Sequence, residues 1–86
     1  MDLVGIDREF AQGLCERLQK KHHLRRDQLA LNVSHTHSGP VVGTNLRVAY
    51  SLQPRAQELV RNYTQELEAR LVEVVDQAMQ TVEPVV

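Results

Sequence analysis

Apolar positions along the chain change period three times, and each change marks a new element. Leu3-Val4-Gly5-Ile6 is a short unbroken apolar run of the kind a buried strand makes, which predicts a strand over about residues 2–6. Asp7 then stands as an N-cap, with Glu9 placing negative charge in the first helical turn. Phe10, Leu14 and Leu18, flanked by Ala11 and Cys15, form one face of a helix predicted over residues 8–22. Gly13 lies inside it and costs up to about 1 kcal/mol relative to alanine, so this helix depends on packing. From Gln28 to Ser34 the period falls to two: Leu29, Leu31 and Val33 alternate with Ala30, Asn32 and Ser34, as in a half-buried strand. Residues 35–53 carry Gly39, Pro40 and Gly43 and read as a loop. Pro54 opens a long helix to about residue 81. Its predicted apolar stripe is Val60, Tyr63, Leu67, Leu71, Val74, Ala78 and Val82, widened by Leu59, Val75 and Met79.

Strand, helix and strand in so short a span predict an α/β fold. Its expected core is a βαβ unit with parallel strands and a right-handed crossover, followed by the long C-terminal helix. A parallel sheet needs more strands and cover on both faces, and no third strand is evident. With three aromatic residues, no tryptophan and one cysteine in 86 residues, the chain also has little to stabilise a small core alone. Both points lead to the expectation that it is part of a larger mixed-sheet domain.

A net charge of −1 provides no global field for nucleic acid or an anionic membrane, and no apolar run approaches the length of a bilayer span. No signal peptide is visible, and the compartment is left open. Cys15, alone and on the apolar helix face, reads as a small packed hydrophobe. The basic run Arg17, Lys20, Lys21, Arg25 and Arg26 reads as a solvated helix end whose cations suit the dipole. His22 and His23 are adjacent, so their rings diverge on a helix and make a poor chelate.

The segment with chemical potential is His35-Thr36-His37, at the expected carboxyl end of the second strand, where open α/β sheets bind ligands. In extended backbone, side chains two residues apart point the same way and lie about 6.5–7 Å apart. Two imidazoles so held can share one zinc ion, or one can hold metal while the other faces substrate, or both can be ordinary loop histidines bonded to backbone or water. Ser34, Thr36 and Ser38 offer hydroxyls that would fix the ring tautomers. Gly39-Pro40 turns the chain sharply away.

The run Asn32-Val33-Ser34-His35-Thr36-His37-Ser38-Gly39-Pro40 resembles the signature of the neutral/alkaline, non-lysosomal ceramidase family. The strand, helix and basic linker before it and the long helix after it extend the resemblance over most of the chain. The resemblance implies a segment of a zinc-dependent amidohydrolase that cleaves the N-acyl amide of ceramide-like sphingolipids to a fatty acid and a sphingoid base. It also implies that His35 is a zinc ligand. His37, with Ser38 and Gly39, would face the substrate, His37 as hydrogen-bond or acid–base partner. Family zinc sites add a second histidine, a glutamate and a tyrosine from distant segments, so the rest of the catalytic domain is needed to complete the site. Neither Tyr50 nor Tyr63 lies in matching context. Relatives are often secreted or periplasmic. After Gly39-Pro40 the characterised ceramidases continue with glycines and aromatics that shape the lipid region, whereas Val41-Val42-Gly43-Thr44 here resembles bacterial relatives of unsettled substrate.

Three other readings remain. One is a zinc hydrolase of another amide or ester. Another is a hydrolase of the amidohydrolase barrel type, which ends its first strand in His-x-His. From a different class comes an interaction module without catalysis, acting through the long helix.

Overall fold

A computed structural model describes residues 1–45, 49 and 51–85. Two α-helices carry the fold: α1, Arg8–His22, and α2, Pro54–Gln80, with one 3-10 turn at Arg26–Gln28. The sequence explains the ends of α1. Asp7 accepts a hydrogen bond from the Phe10 amide at 2.8 Å, satisfying one of the donors a helix start leaves unpaired. At the other end His23 takes a left-handed conformation, φ 56°, and its amide donates to the Gln19 carbonyl. Glycine would hold that position without the Cβ clash. His23→Gly is therefore expected to stabilise the protein by up to about 1 kcal/mol. A thermal melt checks this, and an unchanged or lower midpoint would show that the histidine ring contributes more than the strain costs.

The expected βαβ unit, and with it the mixed-sheet fold class, is not present: among the described residues there is no strand. The start of the chain, with a bend at Leu3-Val4, lies beside residues 29–34, and the backbone bonds between them are made by Met1. The Met1 amine donates to the Asn32 carbonyl and the Ser34 amide donates to the Met1 carbonyl, each at 3.0 Å. The alternation that suggested a strand is real at the level of side chains. Leu29, Leu31 and Val33 are partly buried against the core while Ala30, Asn32 and Ser34 are exposed. A period of two belongs to extended backbone as such. Here it arises because the extended chain lies on the helix pair rather than in a ladder.

The core joins Leu3, Phe10, Leu14, Leu18, Val42 and Val72, with Leu67, Leu71 and Val75 of α2 and Met1, Ile6, Leu29, Leu31 and Val33 packed around it. Cys15 is buried, as its place on the apolar face of α1 leads one to expect. Arg17 meets Glu68 at 3.1 Å, and four residues later Lys21 meets Asp76, so positions rise together along both helices and these run in the same direction. Parallel neighbours need a long return, and residues 24–53 supply it, laying the extended segment across the core on the way back.

The apolar band of α2 is divided differently from the expected stripe. Val60, Leu67, Leu71, Val72 and Val75 are partly or fully buried, whereas Leu59, Tyr63, Val74, Ala78, Met79 and Val82 are exposed. Length accounts for part of this. At about 1.5 Å per residue the 27 residues of α2 outrun the 15 of α1, and residues 77–80 of α2 are exposed. No helix among the described residues is long and apolar enough to cross a membrane.

The basic end of α1 is a clasp rather than a purely solvated surface. The Asp76 carboxylate takes a bond from Lys21 and a second contact from His22 Nε2 at 2.5 Å. The Lys21 ammonium foremost, then His22, holds the Asp76 carboxyl below the usual carboxylate range. Folding thus favours the ionised form. The contribution is fully present above the unfolded-state value of about 3.9 and is lost as pH falls through the lower folded-state value. Thermal midpoints followed from about pH 5 down to about pH 2 are expected to fall more steeply for the wild type than for Asp76→Asn. Equal slopes would show that the clasp carries no linked proton.

Candidate functional site

The motif loop leaves the extended segment at a strained residue. His35 has φ 59°, in the left-handed region that a non-glycine residue enters at a cost of about 1–2 kcal/mol. A bend over 37–39 follows, before Pro40. Because His35 is left-handed, the two imidazoles do not stand parallel along one face of a strand, as alternation predicts. Their rings meet edge to face, with centroids 5.2 Å apart and planes at 90°. Both histidines are exposed on the surface of the loop.

One bond fixes the His35 ring. Its Nδ1 lies 2.6 Å from the Val4 carbonyl oxygen. A carbonyl has no proton to give, so Nδ1 must donate. The neutral ring then has its lone pair on Nε2. Val4 was not legible as a site residue, because a main-chain carbonyl leaves no side-chain signature. The serine and threonine hydroxyls expected to set the tautomer are not what holds His35. Thr36 Oγ1 instead accepts the Ser38 amide at 3.2 Å and shapes the bend. Ser38 is exposed, while Gly39 is half-buried against the start of the chain. A Cβ on Gly39 would come within 2.6 Å of the Asp2 carbonyl oxygen, so glycine is required for that approach.

Thus His35 and His37 are brought together, Ser38 and Gly39 border them, and no group of three or more metal-binding side chains occurs among the described residues. Tyr63 is exposed on α2, and Tyr50 lies outside the described residues. The adjacent pair His22 and His23 is divided as expected: one belongs to the Asp76 clasp and the other to the α1 cap.

A cavity of about 800 Å³ does not include either histidine. Asp7, Thr44, Leu52, Arg61 and Thr64 are among its walls. Its inner edge is tied by Asp7, which accepts from the Thr44 amide at 2.6 Å, and by Thr64 Oγ1, which accepts from the Gly43 amide at 2.8 Å. These bonds pin the chain that leaves the motif, Val41 to Thr44, onto both helices. The exit of the loop is thereby fixed as firmly as its entry.

Compared with known proteins, the chain matches no protein-family model, no curated protein and no solved structure.

Proposed function

We propose that this chain carries part of the site of a zinc-dependent amidohydrolase acting on N-acyl amides, with ceramide-like sphingolipids as the substrate class. In this reading His35 is a zinc ligand and His37 faces the scissile amide. The observation that carries it is the pairing of two exposed imidazoles at a strained left-handed residue, where backbone energy is spent on placing a functional ring. The donor set fits zinc, since His35 offers an Nε2 lone pair and imidazole nitrogen is a common zinc donor. Bound there, zinc would supply Lewis acidity toward the amide carbonyl and activate water near neutral pH.

The chain's own residues have separate tasks. His35 holds its ring by the Val4 carbonyl, which leaves Nε2 as the nitrogen whose lone pair the neutral ring can offer. His37, in contact with that ring, is placed to donate a hydrogen bond to the developing oxyanion or to pass a proton to the leaving amine. Ser38 and Gly39 form the turn that brings substrate past both rings. The other zinc donors come from separate segments, as in the family the motif resembles.

The test is zinc content and amidase activity of the full-length protein before and after chelation. Its substrates are a fluorescent N-acyl sphingosine and a simple N-acyl amino acid. Activity that disappears on chelation and returns with zinc supports the reading, and the preferred substrate decides between the lipid and another amide. Protein that carries no zinc and hydrolyses neither substrate overturns it.

A second reading has one observation in its favour. Leu59 and Val74 are each more than half exposed on α2, which suits an interaction module in which this helix pairs with a second copy of the chain. Association that rises with concentration, without metal, would favour it.

A further inference from the structure

The first four residues touch the motif loop at its entry, its centre and its exit. At the entry, Met1 exchanges backbone hydrogen bonds with Asn32 and Ser34. The centre is held where the Val4 carbonyl accepts the proton on His35 Nδ1. At the exit, Gly39 lies so close to the Asp2 carbonyl that no side chain fits between them. This short segment is itself fixed, because Leu3 and Val4 are only 3% and 6% exposed and Leu3 belongs to the core shared with α1 and α2. The left-handed turn at His35 directs the ring back onto Val4. Without it the ring would continue the core-facing side of the alternation begun by Leu29, Leu31 and Val33.

We propose that the Val4 carbonyl, anchored by the burial of Leu3 and Val4, is the positioning group of the site: it locks His35 as the Nδ1–H tautomer so that Nε2 alone faces the ligand. The metal half of this statement rests on the zinc reading above, but the tautomer does not and is measurable without metal. A neutral imidazole in water prefers the Nε2–H tautomer modestly, so the opposite tautomer reports the bond directly. Holding the ring through its second nitrogen also orients it and raises its basicity as a ligand. Loss of such a contact typically weakens metal binding about 10–100-fold.

The experiment uses zinc-free, full-length protein labelled with ¹⁵N-histidine. Long-range ¹H–¹⁵N correlation at about pH 8, where histidine is neutral, reads the tautomer at each ring. Zinc titration by calorimetry follows on the same sample. The expected result is His35 as Nδ1–H. In Gly39→Ala the new methyl must displace the Asp2 segment, and the His35 signal is expected to shift toward Nε2–H with zinc affinity lowered about 10–100-fold. Gly13→Ala is the matched control. Its methyl meets only the Glu68 carboxylate at ordinary contact distance, and both tautomer and affinity should be unchanged.

His35 found as Nε2–H in the wild type, or Gly39→Ala leaving the tautomer intact, overturns the proposal. Should Gly39→Ala lose its helical circular dichroism, the wild-type tautomer alone decides. An Nδ1–H tautomer in protein that binds no zinc upholds the positioning role of Val4 and overturns the zinc reading, so the two can fail separately.

Discussion

With His35 as the proposed zinc ligand, His35→Ala is expected to abolish zinc binding and to lower the proposed amidase activity by several orders of magnitude, whereas His37→Ala should keep zinc binding and lose about 10²–10⁴ in kcat. The asymmetry follows from geometry. His35 has one nitrogen committed to Val4 and the other available as a lone pair, which is the state a ligand needs. His37 meets the first ring at a right angle from an exposed position, which suits a group that exchanges protons with substrate and water. A merely structural pair would behave otherwise, with both substitutions lowering stability and neither changing metal content selectively. His35→Asn separates these effects, because asparagine tolerates the left-handed conformation that alanine resists. Metal content by elemental analysis, kcat and melting midpoint are measured on all three variants. Zinc retained in both His35 variants would exclude His35 as a ligand. Zinc lost from His37→Ala but not from His35→Ala would exchange the two roles.

The parts of this structure legible in the sequence are those set by local chemistry. Asp7 and Pro54 mark the helix starts, and the spacing of Phe10, Leu14 and Leu18 gives the buried face of α1, because capping and a 3.6-residue period act within a few residues. The error over residues 28–34 is of another kind. Alternation at Leu29, Leu31 and Val33 reports extended backbone with one covered side, and both a strand and a chain draped over two helices satisfy it. Only the partners of the backbone amides distinguish the two, and these depend on distant residues. The stripe on α2 was right at Val60, Leu67, Leu71 and Val75 but not at Tyr63, Val74, Ala78 and Val82, for a related reason. Its apolar band runs from Leu59 round to Val75 and is wider than one neighbouring helix can cover, so the pattern cannot say which half meets α1. At the site, the motif directs attention to His35 and His37, but the left-handed turn has no strong sequence signal. The Val4 carbonyl that holds the ring has none at all.

Leu18→Ala is expected to destabilise the protein by about 2–5 kcal/mol, while Leu59→Ala, the same chemical change on α2, should fall within about 0.5 kcal/mol of wild type. Leu18 is 1% exposed and lies in the core that α1 shares with α2 and the returning chain. Removing its branched end leaves a cavity bounded by elements that cannot all relax inward together, so the lost transfer energy is compounded by a cavity cost. A domain of this size has a total stability of about 4–13 kcal/mol, so this one side chain carries a large share of it. Leu59 is 62% exposed, and its truncation removes little buried surface. Chemical denaturation with fitted midpoints and slopes measures both variants. A Leu18→Ala cost below about 1 kcal/mol would mean that the two helices do not form a tight interface. A Leu59→Ala cost comparable to that of Leu18→Ala would mean that the outer row of α2 is covered in solution. Leu59→Ala would then shift the association equilibrium as well as the midpoint, bringing the pairing of a second copy to the fore.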